Sequence, residues 1–424
     1  MKGKFKIGVV ILLMVSLLAG LIAGCKAAPP PEKKAEKVTM VIAGIYDLTG
    51  PYSGSHTLCV KAYDDCLAWV NETEYIPGVR LVHKVYDHGS DVKKGVACYK
   101  AAIATTPTPV LTTCGLQSPI AKAIKPLAER ARILGVDGTS ARPVNVPPGW
   151  IIEWQPEYEG LMGGFADWVK SEWKPDSEVF GKIYKDRPPR LGVIAWEPVW
   201  RSSFGSDEVI AYIDSIGVEY KTEWVPIGYP DYSAELLRLK DWGADCIYIG
   251  AYPAQEAKVL KDADRLGMTG TFVPSIFWYS GMSELVTYVP KLIEGVTQLT
   301  GYQPLPEDWE PFIREDFENS GLPPMYTFSY SAAAQWLSIH CEIIKKTIDM
   351  VGIDNVNGEA CYNAAMTITD FLPWASSCKM TWRPDYVYGP RKGDVFQYRH
   401  GTIVRVTKDV PIRNLIPGGK DVPK

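Results

Sequence analysis

The chain has 424 residues, 46% of them hydrophobic and 22% charged, with a formal net charge of −4. A mildly acidic balance argues against nucleic acid as a partner. A chain this long exceeds one comfortable core, so two lobes are expected.

The N-terminus speaks for export. Lys2, Lys4 and Lys6 precede an almost unbroken apolar stretch over 7–22, which ends in Leu21-Ile22-Ala23-Gly24-Cys25. A charged start, a short apolar core and small residues before a cut are the marks of a secretory signal. The Cys at the cut makes it similar to a bacterial lipobox, with Cys25 acylated as the new N-terminus. The alternative is a single membrane-spanning anchor, but the run is shorter than the roughly 20 residues a span needs. Loss of residues 1–24 removes three Lys and leaves 42 basic against 49 acidic residues, a balance of −7. Residues 25–37 are Pro-rich and charged and read as a tether holding a folded body off a membrane surface. No later apolar stretch approaches spanning length, which leaves the lipid anchor as the membrane contact.

From Val38 onward strand and helix patterns alternate. Strands are predicted at 38–45, 79–86, 109–113, 133–136 and 150–154, with helices at 55–70, 92–104 and 119–131. The rhythm breaks between 136 and 191 around Pro143, Pro147, Pro148 and Gly149, where 150–154 carries the chain from one sheet to the next. A helix at 159–173 follows. Strands at 191–195, 217–225, 244–249, 270–274 and 295–299 then interleave with helices at 206–216, 233–242 and 254–266. After a second break at Gly301-Tyr302-Gln303-Pro304 come helices at 309–318 and 329–350, and strands at 395–400 and 402–407; 376–392 reads as loop. Such alternation implies right-handed βαβ units and parallel sheets, with a ligand cleft at the strands' carboxyl ends.

Several stretches in order carry a resemblance: Ile45-Tyr46-Asp47-Leu48-Thr49-Gly50-Pro51-Tyr52-Ser53-Gly54, Val85-Tyr86-Asp87, Gly250-Ala251-Tyr252-Pro253, and Pro324-Met325-Tyr326-Thr327-Phe328 running on to Ala333. Over 38–407 the chain resembles the leucine/isoleucine/valine-binding and amide-binding group of type I periplasmic binding proteins. The resemblance implies an α/β fold of two Rossmann-like lobes with parallel sheets joined by a multi-strand hinge. Lobe one is expected to comprise 38–154 with 300–392, and lobe two 155–299 with 393–424. It further implies a monomeric, extracytoplasmic, non-enzymatic protein in the periplasm or on the outer face of the cell membrane. Such a protein hands a small-molecule solute to the permease subunits of an ABC importer, with neither cofactor nor metal.

Candidate ligand contacts follow from the same match. The Leu48–Pro51 loop brings Tyr52 and His56 to the cleft. Leu116, Gln117 and Ser118 close the third strand, where free backbone N–H groups at a helix start suit a carboxylate; Thr139 and Ser140 follow the fourth. Trp200, Phe204, Tyr252 and Phe277 would wall the second lobe. Helix capping, turn chemistry and core packing are the plain alternatives for all of these. One departure stands out. Amino-acid binders of the group place an acid after the next second-lobe strand to receive the α-ammonium, whereas Pro274-Ser275-Ile276-Phe277-Trp278 has none and Glu284 comes later. A less charged solute, an aromatic or aliphatic carboxylate or an amide, is therefore expected.

Two further classes share such a scaffold. An enzyme on this scaffold lacks G-x-G-x-x-G, P-loop, G-x-S-x-G and paired zinc-spaced His. A sensing receptor ectodomain keeps the fold and differs in task. Eight cysteines remain besides Cys25; Cys66 with Cys98 or Cys361 with Cys378 are possible bridges, and buried free thiols are the other reading.

Overall fold

The computed structural model describes residues 37–423, so Cys25, the signal and nearly all of the tether lie outside the described residues. Two sheets form. The first comprises β1 (Val38–Tyr46), β2 (Val79–Asp87), β3 (Leu111–Thr112), β4 (Leu134–Asp137) and β5 (Ile151–Glu153), all parallel in the order β2-β1-β3-β4-β5. The run Val38-Thr39-Met40-Val41-Ile42-Ala43-Gly44-Ile45-Tyr46 is buried from Met40 on, as a strand covered on both faces requires. Helices α1 (Ser53–Glu72), α2 (Val92–Ile103), α3 (Ser118–Ala131) and the single turn α4 (Arg142–Asn145) connect these strands.

After β5 the chain enters α5 (Tyr158–Glu172) and builds the second layer. It comprises β6 (Arg190–Trp196), α6 (Glu197–Phe204), α7 (Asp207–Ser215), β7 (Glu219–Val225), α8 (Ser233–Trp242), β8 (Cys246–Gly250), α9 (Pro253–Arg265), β9 (Val273–Ile276), α10 (Met282–Tyr288) and β10 (Thr297–Thr300). The chain then returns to the first layer through α11 (Pro311–Asn319), α12 (Thr327–Val351) and α13 (Gly358–Ala365), and ends in β11 (Lys392–Arg399) and β12 (Thr402–Pro411). The second sheet runs β12-β11-β10-β9-β8-β6-β7.

Two features depart from the sequence expectation. The last two strands are antiparallel, β11 to β10 and β12 to β11, so the second sheet is mixed. A two-residue turn makes this possible: His400 and Gly401 both take positive φ, 52° and 86°, the backbone of a tight hairpin. Helix α6 was also unforeseen, lying where aromatic residues after a strand were expected.

Helix α12 ties the layers together. It packs on α1, where the buried Tyr63 hydroxyl meets His340 Nδ1 at 2.8 Å. Its Trp336 stacks on Trp154, 5.7 Å away and nearly coplanar, at the first point where the chain leaves the first sheet. Trp382 Nε1 donates to the carbonyl of Glu153, holding the loop before β11 against that same strand. All eight described cysteines are free thiols, so neither Cys66–Cys98 nor Cys361–Cys378 is bonded. No helix among the described residues is long and apolar enough to cross a membrane.

Candidate functional site

Parallel strands deliver their carboxyl-end loops to one edge of each sheet, and here the two edges enclose a cavity of about 280 Å³. Its first-layer wall contains Tyr52, His56, Ser90, Leu116, Gln117, Ser118 and Thr139. Its second-layer wall contains Tyr158, Trp200, Tyr252, Phe277 and Tyr279, with Gln155 on the crossing segment. Tyr52 and Tyr252 meet edge to face across the gap at 5.8 Å.

The first-layer loops are held by buried carboxylates from behind. Asp47, fully buried, accepts the N–H groups of Gly50 and Tyr52 at 2.6 and 3.1 Å, the Ser90 hydroxyl, and Gln117 Nε2 at 3.2 Å. Burial works against its ionisation, but the bonds from Ser90, Tyr52 and Gly50 hold its carboxyl below the usual range. Three cleft loops are thereby fastened to one residue. Asp137 does the same one strand over, accepting the N–H groups of Cys114 and Leu116 at 3.3 and 3.1 Å and the Thr139 hydroxyl at 2.9 Å. Glu153 accepts the Thr139 N–H at 2.9 Å and Asn145 Nδ2 at 2.8 Å. Burial raises the carboxyls of Asp137, to about 6, and Glu153, which the neighbouring Asp137 charge raises further.

This arrangement narrows one expectation: within the 114–119 stretch, read as offering free backbone N–H groups to a carboxylate, those of Cys114 and Leu116 point inward to Asp137. The loop is bent for it: Gly115 and Leu116 have φ of 105° and 50°, and a Cβ on Gly115 would lie 2.5 Å from Ile120 Cγ2. Ser118, at the start of α3 with no side-chain hydrogen bond to the other described residues, and Thr139 remain on the cavity wall.

His56 is buried, lies over Tyr52 at 6.0 Å, and accepts the Asp47 N–H on Nδ1 at 3.0 Å, which leaves the proton on Nε2. Burial pushes its imidazole down to about 4, so at neutral pH it is an uncharged donor. Gln117 has its side-chain amide engaged by Asp47 and Ser90.

The second-layer wall is a raft of rings. Trp200 contacts Phe277 at 4.7 Å and Trp196 at 5.6 Å, and Tyr252 lies 6.4 Å from Phe277 and Tyr279. The segment presenting Phe277 and Tyr279 is pinned from two sides. Glu256, fully buried on α9, accepts the Phe277 N–H at 3.3 Å and the Ser280 hydroxyl at 2.6 Å. Gln298 Nε2 donates to the carbonyls of Phe277, Trp278 and Ser280.

Nine of the eleven candidate positions thus line one cavity: Tyr52, His56, Leu116, Gln117, Ser118, Thr139, Trp200, Tyr252 and Phe277. Two do not. Ser140 is fully buried with its hydroxyl unpaired behind Thr139, and Phe204 stacks under Trp200, nearly parallel at 6.1 Å, four residues along the same helix. Wall residues that sequence reasoning missed are Ser90, Gln155, Tyr158 and Tyr279. Among the described residues, no Lys, Arg, Asp or Glu lines this cavity.

Two α/β layers closing their carboxyl edges over a small ring-walled space define a cleft-type solute binder. The chain belongs to the periplasmic binding protein family, whose family model matches residues 39–364. Its fold is similar to that of a branched-chain amino acid ABC transporter protein from Thermus thermophilus with bound valine, at 19% identity and TM-score 0.72, covering 88% of this chain and 96% of that one. It is similar also to a fatty acid ABC transporter substrate-binding protein from Thermomonospora curvata, at 19% identity and TM-score 0.70, covering 91% and 95%. A leucine-binding protein from Thermotoga maritima matches at 18% identity and TM-score 0.65, covering 88% and 99%. A search of curated protein sequences gave no match.

Proposed function

We propose that this chain is an extracytoplasmic solute-binding lipoprotein, anchored through Cys25, that captures a small organic solute between its lobes and delivers it to the permease of an ABC importer. It acts as a trap and not as an enzyme. Lobe one is 38–154 with 300–392, and lobe two is 155–299 with 393–424; the pairing of β1–β5 in one sheet and β6–β12 in another supports such a division, with the end residues Thr300 of β10 and Lys392 of β11 lying one residue across these bounds.

One observation carries the choice of solute: a cavity of about 280 Å³ walled by rings and neutral polar groups, with no Lys, Arg, Asp or Glu among the described residues that line it. That volume lies at the small end for ligand sites. A buried α-ammonium there would lack a counter-charge, at a cost of several kcal/mol. A neutral amide meets no such penalty, and a carboxylate finds a partial offset in the Ser118 hydroxyl and the positive end of α3. Proteins similar in fold include one with bound valine and one named as a fatty acid transporter's substrate-binding protein, so architecture alone does not name the solute.

The test is a thermal-shift screen of the full chain with amino acids, amides and aromatic and aliphatic acids, followed by calorimetry, since any ligand of the folded state raises Tm by mass action. Amides or monocarboxylates are the expected hits, and saturation should reduce the radius of gyration in solution scattering as the lobes close. Tight binding of leucine or valine, with none for simple carboxylates and amides, would overturn the assignment.

A further inference from the structure

His56 carries a hydrogen-bonding capacity that the fold leaves unused. It sits in the first turn of α1, where Tyr52 stacks on its ring at 6.0 Å and Tyr46 meets it edge to face at 6.4 Å. A second cavity of about 430 Å³ adjoins the first beyond the Tyr52–Tyr252 pair, and the imidazole lies on the wall of both. Nδ1 is committed: it accepts the Asp47 N–H at 3.0 Å, which puts the ring proton on Nε2. The side chain is 3% exposed, yet Nε2 has no hydrogen-bond partner among the described residues and is not sealed off by protein atoms.

A nearly buried N–H left unpaired is costly, and a ligand atom that accepts it relieves the cost. The sense of that bond is fixed. An imidazole whose other nitrogen already serves as acceptor can only donate here, so it favours a carbonyl or carboxylate oxygen and opposes a further N–H donor. We propose that His56 is a specificity-determining residue of the cleft, its Nε2–H seating an acceptor oxygen of the solute where the two cavities meet. The proposal rests on the reading of the interlobe cleft as a solute site and narrows its chemistry: the solute must bring a carbonyl or carboxylate oxygen to that junction. A ring that merely held the Asp47 N–H would be buried in the same way, so the test separates the two roles.

The full chain is titrated calorimetrically with benzamide and with thiobenzamide, which keeps the amide donors and nearly the same shape but offers a sulfur that accepts hydrogen bonds poorly. Wild type should bind benzamide about fivefold more tightly, a preference of about 1 kcal/mol. His56→Asn places an oxygen near the position of Nδ1, so the Asp47 N–H keeps its acceptor while the donor is withdrawn from the cavity. Benzamide should then weaken about fivefold, thiobenzamide should stay within about twofold, and the preference should vanish. His56→Gln places its amide nitrogen near the position of Nε2 and should restore the preference to within about twofold of wild type, which a merely structural histidine does not predict. Should His56→Asn fold poorly in urea unfolding, His56→Met, which fills the space and donates nothing, takes its place with the same expectation. Equal binding of the two probes by wild type, a preference that survives loss of the donor, its absence from a folded His56→Gln, or no binding of either probe at millimolar concentration overturns the proposal. If other solutes still bind and close the lobes, this inference alone fails; if no solute of any class binds, the reading of the cleft fails with it.

Discussion

Glu256 offers a sharp test of how the second-layer wall is built. Its fully buried carboxyl is raised well above the usual range, by burial first, with the bonds from Ser280 and Phe277 pulling the other way. Burial thus favours its protonated form in the fold. Glu256→Gln keeps an oxygen for the Phe277 N–H and supplies an NH₂ to the Ser280 oxygen, so the loss in stability should stay below about 1 kcal/mol. Glu256→Ala strands two buried donors, each worth about 1–3 kcal/mol, and opens a hole besides; about 3–5 kcal/mol should be lost. Solute affinity should fall with it, since Phe277 and Tyr279 ride on the released segment. The pH dependence carries a definite sign. An acid whose folded pKa is raised keeps its proton in the native state while the unfolded chain gives its proton up above about pH 4.5, so wild-type stability drains as pH climbs toward the folded pKa. Gln does not titrate. Glu256→Gln should thus gain on wild type between pH 5 and pH 8 in urea unfolding followed by tryptophan fluorescence. If Glu256→Gln is as damaging as Glu256→Ala at pH 8, the site needs a charge, and the neutral-acid reasoning fails.

Further outcomes are expected elsewhere. Gly115→Ala forces a side chain onto a φ of 105° and within 2.5 Å of Ile120, and should cost about 1–3 kcal/mol in denaturant unfolding while weakening solute binding through the Leu116 loop. Tyr252→Leu removes the edge-to-face contact with Tyr52, worth about 0.5–1.5 kcal/mol, and calorimetry should show solute affinity reduced about three- to tenfold with the lobes' own melting little changed. His340, pushed down to about 3 by burial, stays neutral in the fold while the unfolded chain takes up a proton below about pH 6.5; wild-type stability should fall by about 3 kcal/mol between pH 6.5 and 4 from this group, and His340→Gln, which keeps an acceptor for the Tyr63 hydroxyl, should narrow that gap.

The parts of the fold readable from sequence are those where one local pattern suffices. A strand such as β1 or β8 is a short apolar run between turn residues, and its burial on both faces needs no partner to be named in advance. Direction is another matter. Residues 392–411 read equally well as two strands of either sense, and what settles it is the positive φ at both His400 and Gly401, which the pair His-Gly does not advertise as Asn-Gly would. Helix α6 shows a signal present but unused. Trp196, Trp200 and Phe204 recur every four residues, the spacing of one helix face. Read as a helix, that spacing also foretells that the rings stack on one another, so that Trp200 covers Phe204 and keeps it from the cavity.

The site divides along the same line. Wall residues were legible because position at a strand's carboxyl end nearly determines them. The residues that aim those walls were not, since Asp47, Asp137, Glu153 and Glu256 look from sequence like ordinary surface acids, and only the packed structure reveals four buried carboxyls turned away from the ligand space. Their placement bears on specificity. Each uses its oxygens to satisfy loop N–H and hydroxyl groups, and so removes from the first cavity both the acids that would greet an ammonium and many of the donors that would greet an anion. A structural acid can be replaced by its amide with little effect on what binds, whereas an acid that faces solute cannot. Glu256→Gln should therefore leave solute affinity within about twofold of wild type by calorimetry, and a larger change would show that Glu256 faces solute and that the distinction is false.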